Sequence, residues 1–431
     1  MADFTGRVVV KLSDSVQVPY VDAVESELPQ EFQDLWNEMT NQLGEALSLD
    51  RAMPEFDGSQ LQDLPPLTQY FAVTLPGGLD PETVAQAIFA LSFVELAYAE
   101  IRAELATPPS QTPNDPEFPN ETYLTAAPAG VNALAAWLEA QGDGEGVRLV
   151  DIEEDWDLVH ADLPSITLGS GIRGGGIDHG TSVLGIIAAL PENGVNCIGI
   201  APAVSLEAMP STRPNGVHDE ASAMVAAVLD LLPIDPAGPT PVIELPLQSG
   251  NGLPLEEDPL FAATAGAVVG LGIAVVEAAG NGGVDLDNFT PTVGTTNPFD
   301  RSLTDSGAII VGACFGPGHT PMLERLVGTP VPGSSSCFGA RVDCFAQGAE
   351  IVTLASPVTR QFGGTSGASA IVAAAACSVS AMHTAALGSA IAPLDLRALL
   401  SDPAVNQSSN NPGTDRIGVM PDLGAIIRHG V

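Results

Sequence analysis

Four polar residues stand in settings that suit acyl transfer: Asp151, His179, Asn281 and Ser366. Ser366 lies in GGTSGASAIVAAAA (363–376), where glycines and a Thr-Ser pair lead into a long run of small apolar residues. His179 lies in GGGIDHGTSVLGIIAAL (174–190), a glycine-rich approach followed by an apolar helix pattern. Asp151 ends VRLVD and Asn281 ends VVEAAGN. A serine hydroxyl is a weak nucleophile and needs a base within hydrogen-bond reach. A histidine supplies that base, and a buried carboxylate fixes its tautomer and stabilises the imidazolium. A side-chain amide can donate to the oxyanion of a tetrahedral intermediate. Singly, each residue also has a plain structural reading. Ser366 or its neighbours suit a helix cap, Asn281 a turn with positive φ, and Asp151 a turn after a strand. It is the set, in the order Asp, His, Ser, that points to a nucleophilic hydrolase.

The elements that must position these residues are legible as apolar periodicity. From about residue 130, short apolar runs (VRLVDI, 147–152; VIEL, 242–245; GIAVVEAAG, 272–280; AIIVGAC, 308–314) alternate with Ala-rich helical stretches. That alternation predicts an α/β fold, a mostly parallel sheet flanked by helices. In such sheets sites lie at the carboxyl ends of strands, and all four candidates fall at such ends or in the turns that follow. Residues 259–276, PLFAATAGAVVGLGIAVV, fall short of the ~20 residues a membrane span needs and are expected to be a buried helix leading into a strand. Upstream, TGRVVVKL (5–12), LTQYFAVTL (67–75) and VELAYAEI (94–101) read as strands, with helices predicted within 24–50 and over 80–93. The expected organisation is a small α+β domain over 1–104, a linker with five prolines over 105–121, and a large catalytic domain over 122–431.

The chain carries 53 acidic and 14 basic residues, a formal charge of −39, yet it is 45% hydrophobic. Disordered acidic chains are poor in apolar residues, so the charge must coat a folded body. Such a surface repels nucleic acid and anionic membranes, and neither is expected as a partner. No signal peptide or transmembrane segment is evident, which favours a cytoplasmic or non-classically exported protein. Five cysteines without a CxxC pattern argue against a zinc site; Cys337 and Cys344 are near enough in sequence to pair, or both are free thiols.

The motifs together resemble the subtilisin-like serine proteases. HGTSVLGIIAAL is similar to their His motif, GGTSGASAIVAAAA to their Ser motif with Ala370 in place of the usual Pro, and AAGN to their oxyanion segment. The stretches 199–210 and 334–355 are similar to the segments that follow the His helix and precede the Ser, so the resemblance spans about residues 112–385. It implies Asp151 as orienter, His179 as general base and acid, Ser366 as nucleophile and Asn281 as oxyanion donor. Where the family's Asp is followed by Thr or Ser and then Gly, this chain has VDIEEDWDLVHADL, with two extra residues before HADL. Glu153 therefore rivals Asp151, because it stands at the family's usual distance from HADL; Asp151 is preferred as the residue ending VRLVD. ELPLQSGNG (244–252) resembles the strand beside the substrate, which makes Leu247, Gln248 and Ser249 the expected substrate contacts.

The N-terminal domain resembles an inhibitor-type propeptide, which implies an intramolecular inhibitor and cleavage in or near 102–112. TPNDPEF (112–118) resembles a mature N-terminus that binds calcium, which implies Asp115 and Asn193 as oxygen ligands of a structural ion. No cofactor is required by the resemblance. The implied activity is endopeptidase action on protein or peptide substrates through an acyl-enzyme. Two alternatives share the fold: an inactive relative that binds peptides or a partner protein, and a protease specialised for maturing one peptide.

Overall fold

A computed structural model of the chain describes residues 4–13, 15–52, 67–101, 113–291, 296–328 and 335–430. The expected cleavage segment 102–112 lies outside the described residues. The chain divides into two compact units, Met1–Leu105 and Ala106–Val431.

The first unit is built in the order β1 (Phe4–Leu12), α1 (Gln30–Leu43), β2 (Asp50–Arg51), β3 (Tyr70–Thr74), α2 (Pro81–Phe89) and β4 (Val94–Ile101). Its strands form an antiparallel sheet ordered β2-β3-β1-β4. Strand alternation sends Val8, Val10 and Leu12 to one face, where they pack with Trp36, Phe71, Val84, Ile88 and Phe93. Helix α2 starts where Asp80 accepts from Thr83 N at 2.9 Å, with Pro81 as first helical residue.

The second unit contains a nine-stranded sheet. It comprises β5 (Arg148–Glu153), β6 (Ile166–Leu168), β7 (Ser205–Pro210), β8 (Val242–Leu245), β9 (Ala274–Ala278), β10 (Ile309–Cys314) and β11 (Cys344–Gln347). The short β14 (Gln407–Ser408) and β15 (Val419–Met420) complete it, while β12 (Ile351–Leu354) and β13 (Val358–Phe362) make a separate hairpin. The order is β14-β15-β11-β10-β9-β8-β5-β7-β6, parallel throughout except for the β14–β15 pair. Both faces are covered, as a parallel sheet requires. After α3 (Ala133–Ala136), helix α4 (Ile177–Ala188) and the long α7 (Gly364–Leu387) share one hydrophobic core; α5 (Glu220–Leu231) and α6 (Pro259–Gly270) share the other. The expected buried helix within 259–276 is α6, running into β9.

Chain order reverses across the sheet at β5. From there the strands go to β7 and β6 on one side and to β8, β9 and β10 on the other. A crevice outside the carboxyl ends of strands opens at such a switch point. Helix α7 is long and apolar enough to cross a membrane, but residues Gly364–Met382 are buried inside this unit. Its small side chains let the backbone lie close to the sheet and to α4.

Candidate active site

Strand β5 runs two residues past Asp151, and this decides which carboxylate meets the histidine. Residues 151 and 153 share one face of the strand, but only Glu153 stands at its carboxyl end, level with the start of α4. Glu153 is buried; its Oε1 is hydrogen-bonded to His179 Nδ1, and its Oε2 accepts from Glu154 N at 2.9 Å. Asp151 lies inside the sheet, paired in register with Ala208 on β7 and Glu244 on β8. Its Oδ2 accepts instead from Trp156 Nε1 at 2.6 Å. The preference for Asp151 as the histidine's partner is thus corrected: the strand end, which was the reason for choosing it, belongs to Glu153. Trp156 is fully buried and packs so tightly under the helix start that a Cβ on Gly180 would sit 2.5 Å from its Cδ1. That contact explains the glycine directly after His179.

The His179 ring opens to the cleft with its side chain 43% exposed, and Phe362 packs against it edge-on at 5.3 Å between centroids. Burial of its inner edge pulls the imidazole pKa down. The charge and hydrogen bond of Glu153, helped by Asp151 and Glu154, outweigh that effect and raise it.

Ser366 is in the first turn of α7, and Asn281 follows β9. The two segments are tied together: Thr365 N donates to Asn281 Oδ1 at 2.9 Å, and Gly280 N donates to Thr365 Oγ1 at 3.2 Å. Gly364 has φ +72°, and a Cβ there would stand 2.9 Å from Asn281 Oδ1, so glycine is needed on both counts. Ser366 Oγ donates to Pro246 O at 2.7 Å, and its hydrogen bond to His179 is not made. Asn281 N and Nδ2 both donate to Gln248 Oε1, at 2.8 and 3.1 Å. Leu247 and Gln248 line the same cleft of about 500 Å³ as Glu153, His179, Asn281 and Ser366. Ser249 does not line it; its hydroxyl donates to Glu257 at 2.8 Å. A more apolar cavity of about 470 Å³ beside Glu256, Pro259 and Thr304 holds none of these residues.

Behind the cleft the sheet carries further buried acids. Glu244 is fully buried and accepts from Ser369 Oγ on α7 at 2.7 Å, while its Oε2 and Asp151 Oδ1 have no hydrogen-bond partner. Burial first, then the neighbouring Glu153 charge, pushes the Asp151 carboxyl well above its usual range; Glu244 is raised chiefly by burial as well.

Asp115 and Asn193 are brought to one region, joined there by Asp162 of the HADL stretch. Asp162 accepts from Asn193 Nδ2 at 2.7 Å and from Cys197 N at 2.9 Å. Asp115 accepts from Glu192 N at 2.9 Å and leaves its buried Oδ1 without a partner. Burial raises both carboxyls, that of Asp162 to about 6. Sequence reasoning passed over Asp162, although HADL had already served as a distance marker. Among the described residues no group of three or more His, Cys, Asp or Glu side chains is arranged to hold a metal. All five cysteines are buried and free, so Cys337 and Cys344 are not paired.

The fold has a known counterpart. In solved structures the fold is matched by a protease from Pseudoalteromonas arctica, at 19% identity and a TM-score of 0.54, over 74% of this chain and 100% of that one. A cold-adapted subtilisin-like serine proteinase is also similar, at 20% identity and a TM-score of 0.45, over 64% of this chain and 88% of that one. No curated protein sequence matches the chain. The Subtilase family profile matches residues 173–418, more than half of the sequence, with His179, Asn281 and Ser366 inside the match. The chain belongs to the subtilase family of serine proteases.

Proposed function

We propose that the chain is an endopeptidase acting on protein or peptide substrates through a Glu153–His179–Ser366 triad, with Asn281 as oxyanion donor. The observation that carries this reading is the buried Glu153 carboxylate on His179 Nδ1, in one cleft with Ser366 and Asn281. Nδ1 thereby keeps its proton, and Nε2 is left as the base. Ser366 Oγ attacks the scissile carbonyl as Nε2 takes its proton. The tetrahedral oxyanion is met by Asn281 Nδ2, a contribution worth about 2.7–4 kcal/mol in subtilisin itself. The imidazolium, stabilised by Glu153, gives the proton to the leaving amine. Water then repeats the sequence on the acyl-enzyme and frees Ser366. Asp151 acts behind this set by accepting the Trp156 Nε1–H, which helps to hold β5 under α4.

The Asp115 and Asp162 carboxylates are hard donors, and one buried Asp115 oxygen is unpartnered, so this pair is where a structural calcium ion would be held. Asn193 turns its Nδ2 to Asp162 and its Oδ1 to Val195 N, and would ligate the ion only after turning its amide. Such an ion would relieve the repulsion between the two carboxylates and brace the loop after α4, apart from the chemistry. Residues 1–104 are read as a self-inhibiting unit released by cleavage in or near 102–112.

The test is active-site labelling of the full chain with a small fluorophosphonate, followed by peptide mapping. One adduct on Ser366, absent in Ser366→Ala and strongly reduced in His179→Ala, is the expected result. A folded chain that gains no adduct, whole or after removal of residues 1–110, would favour an inactive peptide-binding relative.

A further inference from the structure

The atoms assigned to catalysis are engaged by the cleft's own wall. Gln248 Oε1 lies between Asn281 N, at 2.8 Å, and Asn281 Nδ2, at 3.1 Å. Both amide orientations are forced, because a backbone N–H can only donate. Thr365 N donates at 2.9 Å to the Asn281 side chain, so the atom there is Oδ1 and Nδ2 faces the cleft. Asn281 N donates to the Gln248 side chain, so the atom there is Oε1. A partly negative carbonyl-type oxygen therefore occupies the place to which the oxyanion donor points. Because Asn281 Oδ1 is pinned by α7, the amide cannot turn away to free itself; the Gln248 side chain has to leave.

Gln248 is exposed and sits two residues after Pro246, whose carbonyl holds the Ser366 hydroxyl at 2.7 Å. One short segment, 246–248, thus holds both the nucleophile and the oxyanion donor in a resting arrangement.

Resting on the reading of this site as an acyl-transfer centre, we propose that Gln248 is a substrate-mimicking plug. Its carboxamide oxygen fills the oxyanion pocket of the free enzyme and is displaced by the incoming scissile carbonyl. Every substrate then exchanges its carbonyl for that of Gln248, so the plug lowers kcat/KM mainly through KM and favours substrates that bind well elsewhere in the cleft. A role in orienting Asn281 would give the opposite sign, since loss of the side chain would then lower kcat.

The test compares wild type, Gln248→Ala and Gln248→Glu as full chains. It reads the second-order rate of Ser366 modification by a small fluorophosphonate, and kcat and KM on one peptide. Thermal melting confirms that each variant is folded. Gln248→Ala is expected to raise the modification rate and kcat/KM about fivefold, the factor for one net hydrogen bond, with the change in KM. Gln248→Glu is expected to lower both, because a charged acceptor holds Asn281 more firmly and repels a developing oxyanion. Equal or slower reaction of Gln248→Ala overturns the plug. Absence of any Ser366 adduct in both wild type and Gln248→Ala, whole and after removal of residues 1–110, overturns instead the reading of the site on which the plug rests.

Discussion

At the scale of single residues, two carboxylates two positions apart on one strand carry different burdens, and substitution separates them. Glu153 touches the imidazole, so Glu153→Gln should lower kcat/KM by about 10⁴-fold, as loss of a triad acid does. It should also move the acid limb of the pH profile to lower pH, because the carboxylate that raises the His179 pKa is gone. Asp151→Asn keeps an oxygen that accepts from Trp156 Nε1 and leaves the Glu153–His179 contact in place, so its loss should stay within about tenfold. The pH–rate profiles of both variants measure this. The reverse ranking would return Asp151 to the triad. The sequence could not decide between them because spacing from HADL favoured one residue and the end of VRLVD the other. What settles the contact is the length of β5 and the indole of Trp156, both products of tertiary packing.

At the scale of elements, the strands and helices that frame the cleft were legible because each is an apolar run of the right length. The runs VIEL and AIIVGAC, and the small-residue face of α7, state their burial directly. The end of β5 was not legible. Interior strands of parallel sheets are near-continuously apolar, so acids at 151, 153 and 154 all look like terminators, although the first two are buried. Gln248 was expected as a substrate contact and does line the cleft, but its hold on Asn281 depends on how two loops approach each other.

The acid group beside the loop after α4 supports a prediction at the same scale. Asp115 and Asp162 have carboxyl pKa values raised in the folded state, that of Asp162 to about 6. A raised carboxyl binds its proton more tightly when folded. Its stabilising effect is therefore full below about pH 4 and is lost as pH rises through the folded value. Without calcium, the Tm should fall between about pH 4 and pH 7 more steeply in the wild type than in Asp162→Asn. Added calcium should raise the wild-type Tm at pH 7 and have a smaller effect on the variant. Differential scanning calorimetry at fixed ionic strength reads both. A calcium-independent Tm would remove the ion from the account.

At the scale of the whole molecule, the charge of −39 repels itself across two units that each have a well-packed hydrophobic core, with a single lysine in the entire sequence. Lys11 pairs with Glu95 within the first unit. Repulsion of this kind is screened by salt, whose Debye length falls from about 30 Å at 0.01 M to about 3 Å at 1 M. The unfolding temperature in monovalent salt should therefore rise by several degrees over that range, the opposite of what a fold held by surface ion pairs would show. A fall would mean that the few bridges, such as Arg416 to Asp285 and Asp287, outweigh the repulsion.

The central claim is that this cleft performs acyl transfer at Ser366, with Glu153 behind His179. Its most direct measurement is the rate of Ser366 modification by a fluorophosphonate in wild type, Glu153→Gln and Asp151→Asn. The account predicts a single adduct on Ser366 in the wild type, a rate near wild type for Asp151→Asn, and labelling close to background for Glu153→Gln. Labelling that survives in Glu153→Gln and collapses in Asp151→Asn would contradict it.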